Sequence, residues 1–477
     1  MANEEKSALL ENKLKKEAEA YFDKYRPQME ALEHSLLAKV RGGRPSISDY
    51  YALGKQLEQY DMYQSVCEEE GSVNLLGKIP VIAYDVITAI AGVSVIPIIA
   101  SVQPIDEERG TVYFKDVRAA TTKGSVTAGE VITDPRSNIV TPAGFSNNSV
   151  VNEVDATTAA STLTYNFTLA QYPARTQTVT INLQNNPAIY AIDDGNGNLV
   201  GVGLSGTINY LTGAVSVTFA VQPATGLNIY SSYQISYEDA PDLPQIDTFF
   251  NSVAVTANVY ALKGTIGLLQ SYGMRRRFGL VAEDELAKDL VAEVNREIGG
   301  DLIRILYANA QGNTTWDKNP PSTNISYFEH KQTFKDALAD AESVLVGNAG
   351  RGTISQIICG RQVAGIISTL PGFEKLTDGT TLGVHVFGML DGITVVRCPN
   401  ADVLASNIAL LVWKGLSPFE APVVYAPYMP LVVTATLPVA PNPLQQMKAA
   451  AVWAGVQSLV PNFVTLLTVN DVSVIEG

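Results

Sequence analysis

Residues 280–306, LVAEDELAKDLVAEVNREIGGDLIRIL, decide the fold of this 477-residue chain. Apolar side chains recur every four residues along the stretch, at Leu286, Leu290, Val294, Ile298, Leu302 and Leu306. This period places them on one face of an α-helix, and the acidic run at 283–285 suits the positive end of the helix dipole. We therefore expect one long helix over about 280–310, kinked where Gly299 and Gly300 interrupt it.

Signals for helices and strands are mixed after this helix. A second helix is expected over residues 329–346, and the glycine-rich stretch 347–352 ends it. Short apolar runs at 354–359, 393–397 and 408–413 favour strands. Helices and strands that do not alternate regularly are typical of the α+β class, which is the fold class we expect.

Residues 145–245 differ in composition from the rest of the chain. They hold seven acidic residues and one basic residue, Arg175, among many Thr, Asn and Gly. Short alternating runs, such as 215–219 after the turn pair Thr212-Gly213, predict strands joined by tight turns. A segment of this size and pattern predicts a small β-sandwich inserted into a host domain.

Residues 1–70 are the most charged part of the chain, with 24 charged residues among 70. Apolar side chains at helical spacing predict a first helix, Pro27 opens a second, and Ser46 or Ser48 caps a third. Two interpretations stay open. The segment is either a solvated helical arm or a segment that docks on a partner or is removed by processing.

The overall composition excludes several classes of protein. Only 17% of residues are charged, against about 25% in ordinary soluble proteins, so we expect much of the surface to be covered by partners. The net charge of −15 argues against a protein that reads nucleic acid. Three distant cysteines, Cys67, Cys359 and Cys398, predict no disulfide framework and synthesis in a reducing cytosol. The start of the chain lacks the apolar core of a signal peptide.

One apolar stretch, residues 79–102, has the length of a membrane span. Pro80 and Pro97 interrupt it, and no basic cytoplasmic flank accompanies it. The pattern favours a buried helix followed by a strand.

Motifs that resemble active sites have simpler interpretations. The G-x-G-x-x-G match at 201–206 leads into a hairpin, so it indicates turns and not a dinucleotide site. The run DDGNGN at 193–198 lacks the closing Glu of a calcium loop and predicts a turn. His330 is expected on a solvated helix face and His385 as a satisfied core or interface residue. No catalytic, cofactor-binding or metal-binding residue is predicted.

Arg275, Arg276 and Arg277 form the densest basic cluster of the chain. One interpretation is a solvated turn before the long helix. The other is a set of charge-assisted contacts to carboxylates of a neighbouring subunit.

Taken in order, several segments resemble the major capsid proteins of tailed bacteriophages, particularly the T-even-like contractile-tailed group. The segments that carry the resemblance, spread over residues 75–477, are VQP at 102–104, GTVYF at 110–114, MRRRF at 274–278, AEVNREI at 292–298, FEAPVVYAPY at 419–428, NP at 442–443 and MK at 447–448. Their order and spacing, more than any single motif, carry the likeness.

The resemblance implies a tailed-phage major capsid fold, which is also found in the floor of herpesvirus capsids. Its expected parts, in chain order, are a charged helical N-terminal segment (1–70), an N-arm and extended loop (71–144), an inserted β-sandwich domain (145–245), a peripheral domain with the long spine helix (246–348), an axial domain (349–440) and a C-terminal return to the peripheral domain (441–477).

The resemblance also implies function. The chain would assemble with identical copies into pentamers and hexamers of an icosahedral head, which encloses double-stranded DNA without reading its sequence. Scaffold, portal, maturation protease and decoration proteins would be further partners. Assembly would occur in the host bacterial cytoplasm, and the mature protein would reside in the virion, with no membrane, no cofactor and no enzymatic activity. We expect the subunit interface at Arg275, Arg276, Arg277, Tyr425 and Tyr428.

Three alternatives remain open at this point. A nanocompartment shell would have the same fold with a protein cargo. A glycan-binding surface or tail protein would be rich in β-structure and would lack the long helix. An enzyme would need paired carboxylates with perturbed pKa values in a deep pocket.

Overall fold

The computed structural model describes residues 2–40, 42–69, 95–123, 126–133, 145–238, 243–321, 325–377, 383–415, 419–434, 436–439, 442 and 444–470. The chain divides into two compact units. The host unit contains Met1–Lys115 and Phe250–Gly477, and the insertion unit contains Asp116–Asp134 and Ile139–Phe249.

The described α-helices, numbered in chain order, are α1 (Ala2–Lys24), α2 (Arg26–Glu33), α3 (Leu36–Val40), α4 (Ile47–Glu69), α5 (Ile96–Ile99), α6 (Leu268–Phe278), α7 (Ala282–Asn309), α8 (Tyr327–Gln332), α9 (Phe334–Ala349) and α10 (Arg361–Ile367). The strands are β1 (Ser101–Val102), β2 (Arg109–Ala119), β3 (Val131–Thr133), β4 (Ser149–Thr157), β5 (Thr164–Thr168), β6 (Thr180–Leu183), β7 (Asn186–Asp193), β8 (Asn198–Val202), β9 (Leu204–Ile208), β10 (Ala214–Phe219), β11 (Asn228–Gln234), β12 (Ile246–Thr256), β13 (Asn258–Gly267), β14 (Asn313–Asp317), β15 (Gln356–Cys359), β16 (Phe373–Lys375), β17 (His385–Leu390), β18 (Ile393–Arg397), β19 (Ile408–Val412), β20 (Val423–Val433), β21 (Leu437–Pro438), β22 (Gln445–Ser458) and β23 (Val464–Asn470).

The long helix α7 packs against a sheet of the host unit with the strand order β1-β20-β22-β13, to which β21 adds beside β22. Strand β1 is parallel to β20, and the other pairs are antiparallel. Helix α7 continues through the buried glycines Gly299 and Gly300 without a break. Packing of its apolar face against the sheet outweighs the poor helix propensity of the two glycines.

The N-terminal helices belong to the same core. Met29, Leu32, Leu53 and Leu57 are buried in one cluster with the apolar face of α7. The segment is therefore no solvated arm. Most of its charged side chains lie on its outer faces, whereas Asp49 is buried. The second predicted helix is divided into α2 and α3, because the chain turns at residues 34–35.

The chain after the N-terminal helices is anchored to the host sheets by polar side chains. Lys414 donates hydrogen bonds of 2.5 Å from its ammonium group to the carbonyl oxygens of Pro97 and Ala100. The Gln356 side-chain amide donates to the carbonyl of Ile98. These contacts satisfy carbonyls around the short helix α5, which would otherwise be buried without partners. The first part of the apolar stretch predicted over 79–102 lies outside the described residues.

A second host sheet has seven strands in the order β14-β23-β19-β15-β18-β17-β16. Every residue of β15 and β19 is buried, which explains why the two strands are continuous apolar runs in the sequence. The C-terminal tail divides between the two sheets, with β22 beside β13 and β20, and β23 between β14 and β19.

The insertion unit contains eight antiparallel strands in the order β4-β11-β6-β7-β8-β9-β10-β5. The two end strands, β4 and β5, contact each other, so the sheet curls almost into a barrel around one apolar core. A single curled sheet takes the place of two stacked ones because each strand from β6 to β9 pairs with the next along the chain. The unit begins at Asp116, ahead of residue 145, since β3 pairs with the end of β2.

The glycine-rich motifs are confirmed as turns and a helix end. The stretch 201–206 lies across the β8–β9 hairpin, where Gly203 has a φ of +72°. The run 193–198 is a turn in which Asp194 accepts hydrogen bonds from the backbone of Asn196 and Asn198. Helix α9 ends at Gly350 in the left-handed conformation.

Candidate subunit-contact surface

Helix α6 emerges directly from strand β13 and ends at Gly279, which adopts the left-handed conformation typical of a helix C-cap. The backbone N–H of Leu268 donates a 2.8 Å hydrogen bond to the carbonyl oxygen of Leu444 and fixes the start of the helix. The structure describes all eleven residues of α6, and none of them is buried. The helix therefore lies on the surface of the host unit with its side chains open to a partner.

Large apolar side chains are exposed on this helix and in the turn after it. Leu269 is 78% exposed, Tyr272 63% and Phe278 71%, and Leu280 and Val281 continue the patch. Single exposed apolar residues are ordinary, but a contiguous group indicates an interaction site. We refer to the helix and turn, residues 268–281, as the α6 surface.

The arginine cluster occupies the last turn of α6, and not a loop as one interpretation of the sequence expected. Positive charge at a helix C-terminus is stabilised by the helix dipole, which accounts for a helix where three adjacent arginines suggested a turn. Arg276 reaches the Tyr272 hydroxyl at 3.4 Å. Within the described part of the chain, no ion pair involves Arg275, Arg276 or Arg277, so their charges are available to another molecule.

The two tyrosines predicted at the interface lie elsewhere, on strand β20. Tyr425 is only 7% exposed, and burial, with a contribution from Tyr260, raises the pKa of its phenol well above the ordinary value. Tyr428 is half-buried and packs edge-on against Trp453, with ring centroids 5.1 Å apart. Their assignment to an interface stays a prediction, as does that of the arginines.

The structure confirms the expected roles of the two histidines only in part. His330 is half-buried and stacks on Trp316, with its Nε2 2.8 Å from the carbonyl oxygen of Asp317. His385 is buried, and its Nδ1 lies 2.9 Å from the carbonyl oxygen of Gly383. Its Nε2 has no partner in the structure, so the side chain is only partly satisfied.

Across the described ranges, no three His, Cys, Asp or Glu side chains come together in a way that could hold a metal ion. No helix among the same residues is both long and apolar enough to span a membrane.

Sequence comparison supplies the observation that decides the family. The family model for the major capsid protein Gp23 matches residues 82–460, which is most of the chain. The chain belongs to this family. No curated protein sequence matches it.

The solved structures that the chain matches include several capsids. The capsid of Myoviridae phage XM1 is 10% identical, with a TM-score of 0.31, and the match covers 62% of this chain and 87% of that one. Gordonia phage Cozz gives 9% identity and a TM-score of 0.34, over 53% and 79% of the two chains. A virus-like particle from Pyrococcus furiosus gives 9% identity and a TM-score of 0.30, over 46% and 80%.

Family membership confirms the main predictions from the sequence. The chain is a structural capsid protein of the α+β class with an inserted β unit, it is not an enzyme, and it forms the icosahedral head of a phage as part of the virion. Capsid assembly implies capsomers of identical copies. Helix α7 also contradicts the glycan-binding alternative, which required a fold without the long helix.

The exposed apolar residues of α6 are the part of the site that sequence reasoning missed. The stretch LLQSYGMRRRF contains good helix formers. Its apolar residues do not recur with a single clear period, and Gly273 divides them. The adjoining pair Leu268-Leu269 and the aromatic Tyr272 before an arginine run were the available signal.

Proposed function

We propose that the α6 surface is a contact between neighbouring subunits of a capsomer. The observation that carries the proposal is a helix of eleven residues, none of them buried, that exposes Leu269, Tyr272 and Phe278 beside three arginines that form no ion pair with any described residue. Isolated helices shorter than about 12–15 residues are marginal in water. A helix of this kind gains stability when a second copy covers it.

The charges of the chain favour a second copy as the occupant. Each copy has a net charge of −15, so its surface offers many carboxylates to the arginine cluster. Arginine binds carboxylates through paired hydrogen bonds. In a ring of identical subunits the contact is head-to-tail, so the α6 surface of one copy meets a different, acidic surface of the next.

Strand β20 would contribute to the contact through Tyr428, whose half-buried ring is still partly exposed to solvent. Tyr425 would support the strand from within the core, where it is already packed.

We extend the proposal to the assembly of the whole shell. Copies would close into pentamers and hexamers, and the shell would enclose double-stranded DNA without sequence-specific contacts, in keeping with the net negative charge. Scaffold, portal, maturation protease and decoration proteins are proposed partners. The division into N-terminal segment, N-arm, insertion, peripheral domain, axial domain and tail is part of this proposal.

The test is charge reversal of the arginine cluster. A variant with Arg275→Glu, Arg276→Glu and Arg277→Glu should fold normally but fail to form capsomers, because like charges then face each other across the contact. Circular dichroism measures folding, and sedimentation velocity with negative-stain microscopy measures assembly.

The matched control carries the same change in charge on another exposed helix. Replacing Lys13, Lys15 and Lys16 by Glu alters the exposed outer face of α1 and should leave assembly intact. If the arginine variant assembles as well as the wild type, or if both variants fail equally, the α6 surface is not the contact.

A further inference from the structure

Two acidic side chains lie inside the curled sheet of the insertion unit, where apolar residues form the core. Glu153 and Asp155 are two residues apart on strand β4, and the Glu153 side chain and both side-chain oxygens of Asp155 are buried. Glu153 is 5% exposed, and its Cα pairs with that of the fully buried Ser231 on β11. The strand is irregular here, since Asn152 has a φ of +53° and the register shifts twice, between Ser231 and Tyr233 and between Ile229 and Tyr230, where Asp155 is the residue without a partner on β11.

Glu153 is held in place by neutral donors. Its Oε1 accepts a 2.6 Å hydrogen bond from the backbone N–H of Ala170, and its Oε2 accepts one of 2.6 Å from the Tyr233 hydroxyl. The Tyr233 oxygen in turn accepts from the backbone N–H of Gln171 at 3.0 Å. The Glu153 carboxylate is thus fixed as an acceptor.

Asp155 lacks such donors. Both of its side-chain oxygens are buried, and neither receives a hydrogen bond from any described residue. The Ser231 hydroxyl is close enough to favour the charged form of Asp155, but within the same set of residues it also makes no hydrogen bond. In the described residues no lysine or arginine forms an ion pair with Glu153 or Asp155. A buried carboxylate without a counter-charge or donors is strongly unfavourable.

A proton on Asp155 would remove this unfavourable buried charge. When Asp155 carries a proton, its O–H becomes a donor, and the neighbouring Glu153 carboxylate is the acceptor within its reach. We propose that Asp155 and Glu153 share one proton between their carboxyl groups, and that this proton makes the stability of the insertion sheet depend on pH.

The electrostatics of the site agree with this proposal. Burial raises the pKa of Asp155 to about 8, and the charge of Glu153 adds to the effect. Burial also raises the pKa of Glu153. The third titratable group at the site is Tyr233, whose pKa is raised far above its ordinary value, first by burial and then by Glu153. Tyr233 therefore stays neutral while the carboxyl pair titrates.

The direction of the pH dependence follows from linkage. The folded state holds the Asp155 proton more tightly than the unfolded chain does, whose aspartates titrate at the ordinary value of 3.8. Stability from this proton is complete below that value, falls as the pH rises, and is lost once the pH passes about 8, where the proton leaves to solvent. One proton changes the opening equilibrium by up to about tenfold per pH unit within this window.

Hydrogen exchange of the full-length capsomer measures this equilibrium locally. Peptides from β4 and β11 should show an opening constant that rises by up to about tenfold per pH unit toward pH 8 and then levels off, after correction for intrinsic exchange. Asp155→Asn should remove the slope. Glu238→Gln, which changes an exposed acid of the same unit, should keep it.

Two further measurements test the proposal, and the first serves if Asp155→Asn does not fold. If Asp155→Asn does not fold, Glu153→Gln removes the neighbouring charge and should move the end of the slope to lower pH. An infrared band of a protonated carboxyl group at neutral pH should be present in the wild type.

A wild-type exchange profile without a slope, or an unchanged slope in both variants, would overturn the proposal. Calcium chloride that restores protection above pH 8 would also overturn it, since a cation and not a proton would then neutralise the pair.

Discussion

Leu302 on helix α7 is the residue at which the stability of the host core can be tested most directly. Its side chain is fully buried, and the helix packs against β22, β13 and β20. The substitution Leu302→Ala removes three carbon atoms from this core. The lost transfer free energy is about 2.4 kcal/mol, at about 0.8 kcal/mol per carbon.

The residual cavity adds to this cost. Strands joined by a hydrogen-bonded ladder cannot move far to fill the space that Leu302 leaves. Large-to-small changes of this kind cost about 2.7–5 kcal/mol in total, and the rigid sheet favours a value of about 3–4 kcal/mol. At about 2 °C per kcal/mol for a unit of this size, the melting temperature should fall by roughly 6–8 °C.

Tryptophan fluorescence on heating is a suitable assay, because Trp316, Trp413 and Trp453 all lie in the host unit. The control is Leu269→Ala, the same chemical change at a side chain that is 78% exposed. It should leave the melting temperature of unassembled protein unchanged, within about 0.5 kcal/mol. If Leu302→Ala melts together with the wild type, the reasoning from burial is refuted.

Two further changes test local conformation and the independence of the insertion. Gly352 has a φ of +95°, and a Cβ atom there would lie 2.5 Å from the Trp413 ring. Gly352→Ala should therefore destabilise the host unit by about 2 kcal/mol or more in the same melting assay. An unchanged melting temperature would contradict this prediction. Replacing residues 147–240 by a short linker should leave the host unit folded, with a melting temperature close to that of the wild type. The reason is that all strand pairs of the eight-stranded sheet lie within the deleted segment. An aggregated product would contradict this prediction.

The long helix could be predicted because burial on a single side leaves a regular period in its sequence. Leu290, Val294 and Ile298 all face the same core, so the pattern and the packing agree. The strands β15 and β19 could be predicted for a related reason, since complete burial makes them continuous apolar runs.

Strand β4 could not be predicted from its sequence, because acidic side chains point into the core and apolar side chains are exposed. Glu153 and Asp155 point inward, whereas Val151 and Val154 are more than half exposed. The irregular residue Asn152 shifts the register and reverses the usual alternation. A sequence pattern assumes that apolar residues mark the core face, and here that assumption fails.

The candidate contact surface was predictable only in its charge. The arginines were evident in the sequence, but their place in a helix depended on the capping conformation of Gly279. The exposure of Leu269 depends on what the rest of the host unit covers, which no local pattern states. The burial of Tyr425 likewise follows from its place in a central strand of its sheet, between β1 and β22.

The pairing of β1 with β20 has a consequence for the order in which the nascent chain matures on the ribosome. Ser101 pairs with Val424, so the sheet of β1, β20, β22 and β13 cannot close until the C-terminal part has been synthesised. The eight-stranded sheet needs only residues up to Gln234. At about 5–20 residues per second, roughly 12–50 s separate the emergence of Gln234 from that of Asn470 at the end of β23. The faces of the N-terminal helices that pack against β20 stay uncovered until that strand, which ends at Val433, has been synthesised, so we expect translation, not the folding of either unit alone, to set the period in which the chain needs chaperones.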